Sequence, residues 1–256
     1  MTKNITAVIP ARMAATRFPG KPLKKILGLS MIEHVRRRAL LSGLFDSVVV
    51  ATCDREIIEE VEKNGGKAVM TSNSHERCTD RIEEAAKKIN SGIIVNIQGD
   101  EPTILPQSLE LLIAPLLKNS ELQSTNIVNP INNFEDLSSP NAVKAVLSNS
   151  LKILYMSRSI IPGKEYSQKT QYYKQTGLMA FRKEFLHLYS TLAPTPLEIK
   201  ESCDMLRLLE NDYSIQGVIC HNQTIGVDIP DQIETVEKFI LNDPQQKLIH
   251  DKIKSS

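Results

Sequence analysis

The chain has 256 residues, of which 41% are hydrophobic and 24% charged, and its formal net charge is +1. That composition builds a buried core and excludes a disordered chain, which needs fewer apolar residues and more net charge. It also excludes a general nucleic-acid binder, which carries a basic excess, and no run approaches the roughly 18 unbroken apolar residues of a membrane span.

Short apolar runs alternate with amphipathic stretches. Ile5 to Ile9 reads as a buried strand ended by Pro10, and this apolar run is too short for a signal peptide, so a cytoplasmic location is expected. Met31 to Ser42 reads as a helix with a basic face at Arg36 to Arg38. Val48 to Thr52 is a strand, and Asp54 can cap the helix Arg55 to Lys63, which stops at Asn64-Gly65-Gly66. Lys67 to Met70 is a third strand, Thr79 or Asp80 can cap a helix through Ile89, and Ile93 to Ile97 is a fourth strand. A helix opens at Pro106 and runs to about Leu117. Residues 120–175 are rich in Asn, Ser and Pro, with strand-like pieces at Ala142 to Leu147, Ile153 to Met156 and Tyr172 to Phe181. Helices follow at Lys183 to Ser190 and Leu197 to Glu210, then a strand at Ile215 to Ile219 and a last helix from Pro230. Apolar strands alternating with helices imply an α/β fold with a mostly parallel, doubly wound nucleotide-binding sheet. The expected organisation is one domain over residues 1–256, in which about 120–180 form a smaller inserted lobe. Cys53, Cys78, Cys203 and Cys220 are scattered without a C-x-x-C pair, which points to reduced thiols used as small apolar residues.

Ligands of an open parallel sheet bind beyond the carboxyl ends of its strands. The loop after the first strand, residues 10–25, carries Arg12, Arg17, Lys21, Lys24 and Lys25 with no acid between them. Cations spaced along a loop of small residues suit a polyphosphate. No G-x-G-x-x-G is present, and Gly20-Lys21 is followed by Pro22, so neither a dinucleotide loop nor a Walker loop is available. Asp100, in Gln98-Gly99-Asp100-Glu101-Pro102, follows an apolar strand and can hold Mg²⁺ against phosphates. Asp228, in Gly226-Val227-Asp228, reads alone as a helix cap and together with Asp100 as the second carboxylate of a metal site.

These segments, with Thr16 to Leu23, Met31 to Val35, Val69 to Ser72, Thr79-Asp80-Arg81 and Ser157 to Pro162, resemble the CMP-Kdo synthetase (3-deoxy-manno-octulosonate cytidylyltransferase) family over nearly the whole chain. The resemblance implies that the 2-hydroxyl of a 3-deoxy-ulosonic acid, Kdo first, attacks the α-phosphate of CTP and releases pyrophosphate, for lipopolysaccharide or surface-polysaccharide synthesis. It implies that Arg12, Arg17 and Lys21 hold the triphosphate, with Ala11, Gln98, Thr79, Asp80 and Arg81 near the nucleotide. Asp100 and Asp228 would bind Mg²⁺, with Asp100 catalytic beside the three cations. Arg158 falls on the sugar side or at the interface, and a homodimer is expected, with the Asn/Ser-rich middle region as its interface.

The chain departs from the family's usual pattern in three places. His75-Glu76-Arg77-Cys78 replaces a stretch that normally ends in Ser-Gly, and Gln175 and Met179 stand where His and Tyr are usual. Asp204 and Met205 stand where Glu and Gln are usual. Since Gln175, Met179, Asp204 and Met205 fall in the family's sugar-binding segments, a different or modified acceptor, such as 8-amino-Kdo or a nonulosonic acid, is the alternative to Kdo. Other readings are a sugar 1-phosphate nucleotidyltransferase, a glycosyltransferase (which the absence of Asp-x-Asp disfavours) and a non-catalytic CTP-binding paralogue.

Overall fold

The computed structural model describes residues 4–14, 17–163, 167 and 170–255. Thr16, part of the first-loop motif, lies outside the described residues, as do Met1 to Lys3 and Ala15. Two compact units form, one from Met1–Glu110 with Gln223–Ser256 and one from Leu111–Asn222.

The first unit begins with β1 (Ile5–Ala11), a single 3-10 turn (Lys21–Leu23) and a small hairpin of β2 (Lys25–Ile26) and β3 (Leu29–Ser30). Next come α1 (Met31–Leu41), β4 (Ser47–Thr52), α2 (Arg55–Lys63), β5 (Lys67–Met70), α3 (Cys78–Lys87) and β6 (Ile93–Asn96), with α4 (Pro106–Lys118) after them. The sheet runs β6-β1-β4-β5, and all its pairings are parallel. Apolar side chains of β1, β4 and β6, including Ile9, Val50 and Val95, are fully buried, as a sheet covered on both faces requires. From β1 the chain winds outward to β5 and then returns to β6 on the other flank of β1. That reversal makes a switch point, and a ligand crevice opens outside the strand ends there.

Pro10 does not end the first strand. Its register with β4 continues through Pro10 and Ala11, whereas the pairing with β6 stops at Val8 opposite Asn96. With one flank already free, the proline's missing donor is tolerated. Asp54 occupies the N-cap position of α2 without capping it through its side chain, and α3 starts at Cys78, so Thr79 and Asp80 lie inside the helix rather than capping it.

The second unit holds β7 (Ser124–Ile131), α5 (Phe134–Ser138), β8 (Lys144–Leu147), β9 (Ile153–Ser157), β10 (Tyr172–Arg182), α6 (Lys183–Thr191), α7 (Pro196–Glu201), α8 (Leu206–Glu210) and β11 (Gln216–Ile219). Strand β7 was not foreseen, because its sequence is polar. Its buried Asn126 donates to the carbonyls of Thr176 and Leu178, and Asn129 donates to those of Cys220 and Asn222, so these asparagines cross-link backbone instead of facing water. The expected helix over 197–210 is two helices. Ser202 takes a left-handed φ of 50°, and a buried Glu198–Arg207 pair at 2.7 Å joins the halves. The last helix is likewise divided, into α9 (Gln232–Asn242) and α10 (Pro244–Lys254), since Pro244 cannot continue α9 but suits the first turn of α10.

Arg36 to Arg38 are not a solvated basic face. Buried Glu33 receives Arg36 through two 2.7 Å bonds and Arg37 through one of 2.9 Å. Arg37 also reaches the Ile253 carbonyl, and Arg38 reaches the Gln246 side chain, both on α10. Beside them His34 is buried, bonds the Ile26 carbonyl through Nε2 at 2.8 Å and stacks on His250 with centroids 5.4 Å apart. Burial pulls its pKa from 6.5 down to about 4; the Ile26 bond opposes this and Arg38 adds to it. Between those values the unfolded chain binds a proton that the folded chain refuses. The group's stability is therefore fully present above pH 6.5 and is lost as pH falls to 4, by about 3 kcal/mol. Urea unfolding at pH 7 and pH 4 should show wild type losing that much more than a His34→Gln variant, and equal losses would contradict a neutral buried imidazole.

Candidate active site

The loop after β1 is tied down rather than solvated. The Met13 N–H donates to Asp54 Oδ2 at 2.7 Å, so the carboxylate expected to cap α2 holds the loop instead. The Met13 carbonyl accepts from the Gly20 N–H at 2.9 Å, which brings Met13 and Gly20 together. Gly20 turns the chain at φ 70°, a left-handed conformation that favours glycine. Phe18 is buried with Ile26, Met31, Val227, Val236 and Ile240, which anchors the segment between Arg17 and Lys21.

Lys21 follows that turn. Its Nζ donates to Asp100 Oδ2 at 2.7 Å and to the Val227 carbonyl at 2.8 Å. Arg17 pairs with Asp228 Oδ1 at 2.8 Å. The Val227 N–H bonds the Asp100 carbonyl at 2.9 Å, so the two carboxylate-bearing segments lie side by side. Asp228 caps no helix, since α9 begins at Gln232, and α4 begins at Pro106, well past Asp100. Gly99 is needed for close approach, because a Cβ there would stand 2.8 Å from the Pro10 carbonyl.

These groups line a cavity of about 370 Å³, within the size range of small-molecule sites. Ala11, Arg12, Arg17, Lys21, Arg81, Gln98, Asp100 and Asp228 all face it; Thr79 and Asp80 are not in its lining, and Thr79 is fully buried. The rest of the wall includes His75, Glu76, Arg77 and Cys78, which the sequence marks as departures from a family pattern and, for Cys78, as a small apolar thiol, but not as part of a site. Their signal was positional, because this loop also leaves the carboxyl end of a parallel strand, β5. Arg81 is buried and donates to Thr71 Oγ1 at 2.6 Å and to the Ser72 carbonyl at 3.1 Å, fixing that loop from behind. The Gln98 amide donates to Cys78 Sγ at 3.0 Å. Five cationic side chains and three carboxylates line the cavity, a positive excess that favours an anion.

Asp100 and Asp228 fit a hard divalent cation. Mg²⁺ characteristically takes one or two carboxylates and completes its shell with phosphate oxygens and water. Among the described residues no group of three or more His, Cys, Asp or Glu could hold a metal, so an ion here would draw its remaining ligands from phosphate and water.

The second unit carries the five residues expected near the sugar. Arg158 is occupied as a strut, donating to the carbonyls of Glu201, Ser202, Pro140 and Asn141. Beneath it buried Lys144 donates to the Ser139, Ala142 and Arg158 carbonyls, and burial lowers its pKa. Gln175 and Met179 flank a bulge in β10 opposite β7. Met179 and Met205 are buried, whereas Gln175 and Asp204 are half-buried. The Cys203 thiol lies 3.5 Å from Gln175 Oε1 and 3.6 Å from Met156 Sδ, and burial, with Asp204 nearby, pushes its pKa up to about 12.

A parallel sheet whose switch point carries a cationic loop and two carboxylates is the framework of a nucleotidyl-transfer enzyme, and the comparisons specify which. The cytidylyltransferase family model matches residues 6–218, and the chain belongs to that family. It is 41% identical over 244 residues to the 3-deoxy-manno-octulosonate cytidylyltransferase of Geobacter metallireducens, covering 91% of this chain and 96% of that one. It is 42% identical over 248 residues to the enzyme of the same name from Pelobacter propionicus, covering 92% and 97%. A solved CMP:2-keto-3-deoxy-manno-octonic acid synthetase in complex with CTP superposes with a TM-score of 0.87 at 37% identity, covering 93% of this chain and 98% of that one.

The contact at Gly99 yields a direct check on this geometry. Gly99→Ala forces the loop after β6 away from the end of β1, at an overpacking cost of about 1–3 kcal/mol, so Tm should fall by several degrees. An unchanged Tm would contradict the close approach of Gly99 to Pro10.

Proposed function

We propose that this protein transfers CMP from CTP to the anomeric 2-hydroxyl of a 3-deoxy-ulosonic acid, with Kdo the preferred acceptor, and releases pyrophosphate. The observation that carries this reading is the pairing of Lys21 with Asp100 and of Arg17 with Asp228 in one cavity. Phosphate and a divalent cation can take over both sides of each pair. Arg12, Arg17 and Lys21 bind the triphosphate and neutralise the charge that grows on the departing pyrophosphate. Asp100 and Asp228, released from their ion pairs, hold Mg²⁺. When bound, that ion polarises the α-phosphate and lowers the cost of ionising the acceptor hydroxyl. The hydroxyl oxygen bonds to the α-phosphorus, the bond to the bridging oxygen breaks, and the hydroxyl proton passes to solvent. Positioning and electrostatics suffice, so no nucleophilic side chain is required.

Family likeness supports a cytoplasmic homodimer that supplies an activated sugar for lipopolysaccharide or surface-polysaccharide synthesis. A second reading, a modified acid such as 8-amino-Kdo or a nonulosonic acid, rests on Gln175 and Asp204, which are half-buried rather than sealed in the core. Met179 and Met205 are packed as core side chains, which favours Kdo.

Pyrophosphate release with CTP and Mg²⁺ against Kdo, 8-amino-Kdo, two nonulosonic acids and a hexose 1-phosphate tests the assignment. Release should be fastest with Kdo. Faster release with another acid would reassign the acceptor, and none with any acid would refute the activity. Asp100→Asn should lower kcat by at least about 100-fold with the fold intact, the scale of losing a charge-stabilising contact to a transition state. Wild-type turnover in that variant would remove Asp100 from the metal site.

A further inference from the structure

Behind the two carboxylates lies a polar network that the catalytic reading leaves unused. Thr103 is fully buried three residues past Asp100. Its Oγ1 donates to the Ile225 carbonyl at 3.1 Å and accepts from the Ile225 N–H at 2.7 Å. One side chain thus satisfies both backbone groups of a residue three positions before Asp228. The Val227 N–H to Asp100 carbonyl bond is a second rung between the same two segments. The Thr103 carbonyl in turn accepts from Gln246 Nε2 at 2.8 Å, and Gln246 Oε1 accepts from buried Arg38 at 2.7 Å. Arg38 also reaches the Ile104 carbonyl at 3.2 Å.

We propose that Thr103 is a positioning residue that holds the Asp100 and Asp228 segments at the separation a divalent cation requires, with Gln246 and Arg38 bracing it from α10 and α1. This deepens the metal reading above and rests on it. The segments at 98–104 and 223–228 are loops, not regular ladders, so individual contacts set their spacing: the two Thr103–Ile225 bonds at one point, and the Val227–Asp100 rung with the Lys21 bridge at another. A hydroxyl that serves as donor and acceptor to one residue fixes both the distance and the slide between them. An apolar side chain of equal shape cannot, and it would leave the Ile225 N–H and carbonyl without a buried partner. Residues that orient metal ligands from behind characteristically change metal affinity by 10- to 100-fold when replaced, even though they never touch the ion.

The test is a Mn²⁺ titration followed by electron paramagnetic resonance at saturating CTP, with steady-state kinetics alongside. Thr103→Val should weaken Mn²⁺ binding at least about tenfold and lower kcat more than it raises the KM for CTP. Thr103→Ala, which removes the hydroxyl without a branched replacement, should do the same if the valine variant folds poorly. Thr103→Ser keeps the hydroxyl and should restore Mn²⁺ affinity to within about threefold, whatever it costs in Tm by losing the methyl. Wild-type Mn²⁺ affinity in the valine and alanine variants would overturn the proposal, as would a serine variant as impaired as they are. If the wild-type protein itself bound no Mn²⁺ in the presence of CTP, the metal reading would fall and the clamp with it.

Discussion

The placement of Lys21 governs the site. Its ammonium is shared between the Asp100 carboxylate and the Val227 carbonyl, which come from two loops more than a hundred residues apart in sequence. The left-handed turn at Gly20, the burial of Phe18 and the Asp54–Met13 bond deliver the side chain to that point. Gly99 lets the loop carrying Asp100 approach the end of β1. Removing any of these supports would leave the charges present but misplaced.

The strengths of the two ion pairs suit an exchange of partners. Arg17 and Asp228 have side chains 55% and 42% exposed, and a pair so open to water contributes at most about 1 kcal/mol. Lys21, at 14% exposure, is better shielded and gains a second acceptor. Neither arrangement resembles the Glu33–Arg36 or Glu198–Arg207 pairs, whose side chains are at most 6% exposed. The protein thus locks Glu33–Arg36 and Glu198–Arg207 in the interior and leaves the cavity's ion pairs more open to water, where the proposed nucleotide phosphates can displace their partners. The same division separates Arg81, buried against the loop it supports, from Arg12, exposed on the cavity wall.

The parallel sheet and the place of the cationic loop at its ligand-facing edge were legible because their signals are local and repetitive. Apolar strands at Ile5 and Val48 fix the sheet, and cations following the first strand fix the ligand edge. Less legible were features whose meaning depends on a distant partner. Arg36 to Arg38 look like a solvated face until Glu33 and α10 close over them. Strand β7 looks like a polar linker until Asn126 and Asn129 find backbone carbonyls to bond. Asp54 has the spacing of a helix cap and is taken by Met13 instead. Cys78 and its neighbours were not legible as part of a site, since nothing in their own sequence shows that the loop after β5 folds onto the cavity. Thr103 gave no signal at all, because a threonine becomes a clamp only when a particular backbone lies opposite it.

The most direct measurement is a structure of the protein with CTP and Mg²⁺ bound. The account predicts that Arg17 and Lys21 leave Asp228 and Asp100 for phosphate oxygens while both carboxylates turn onto the ion. Ion pairs that stay closed, with the nucleotide bound elsewhere, would contradict it.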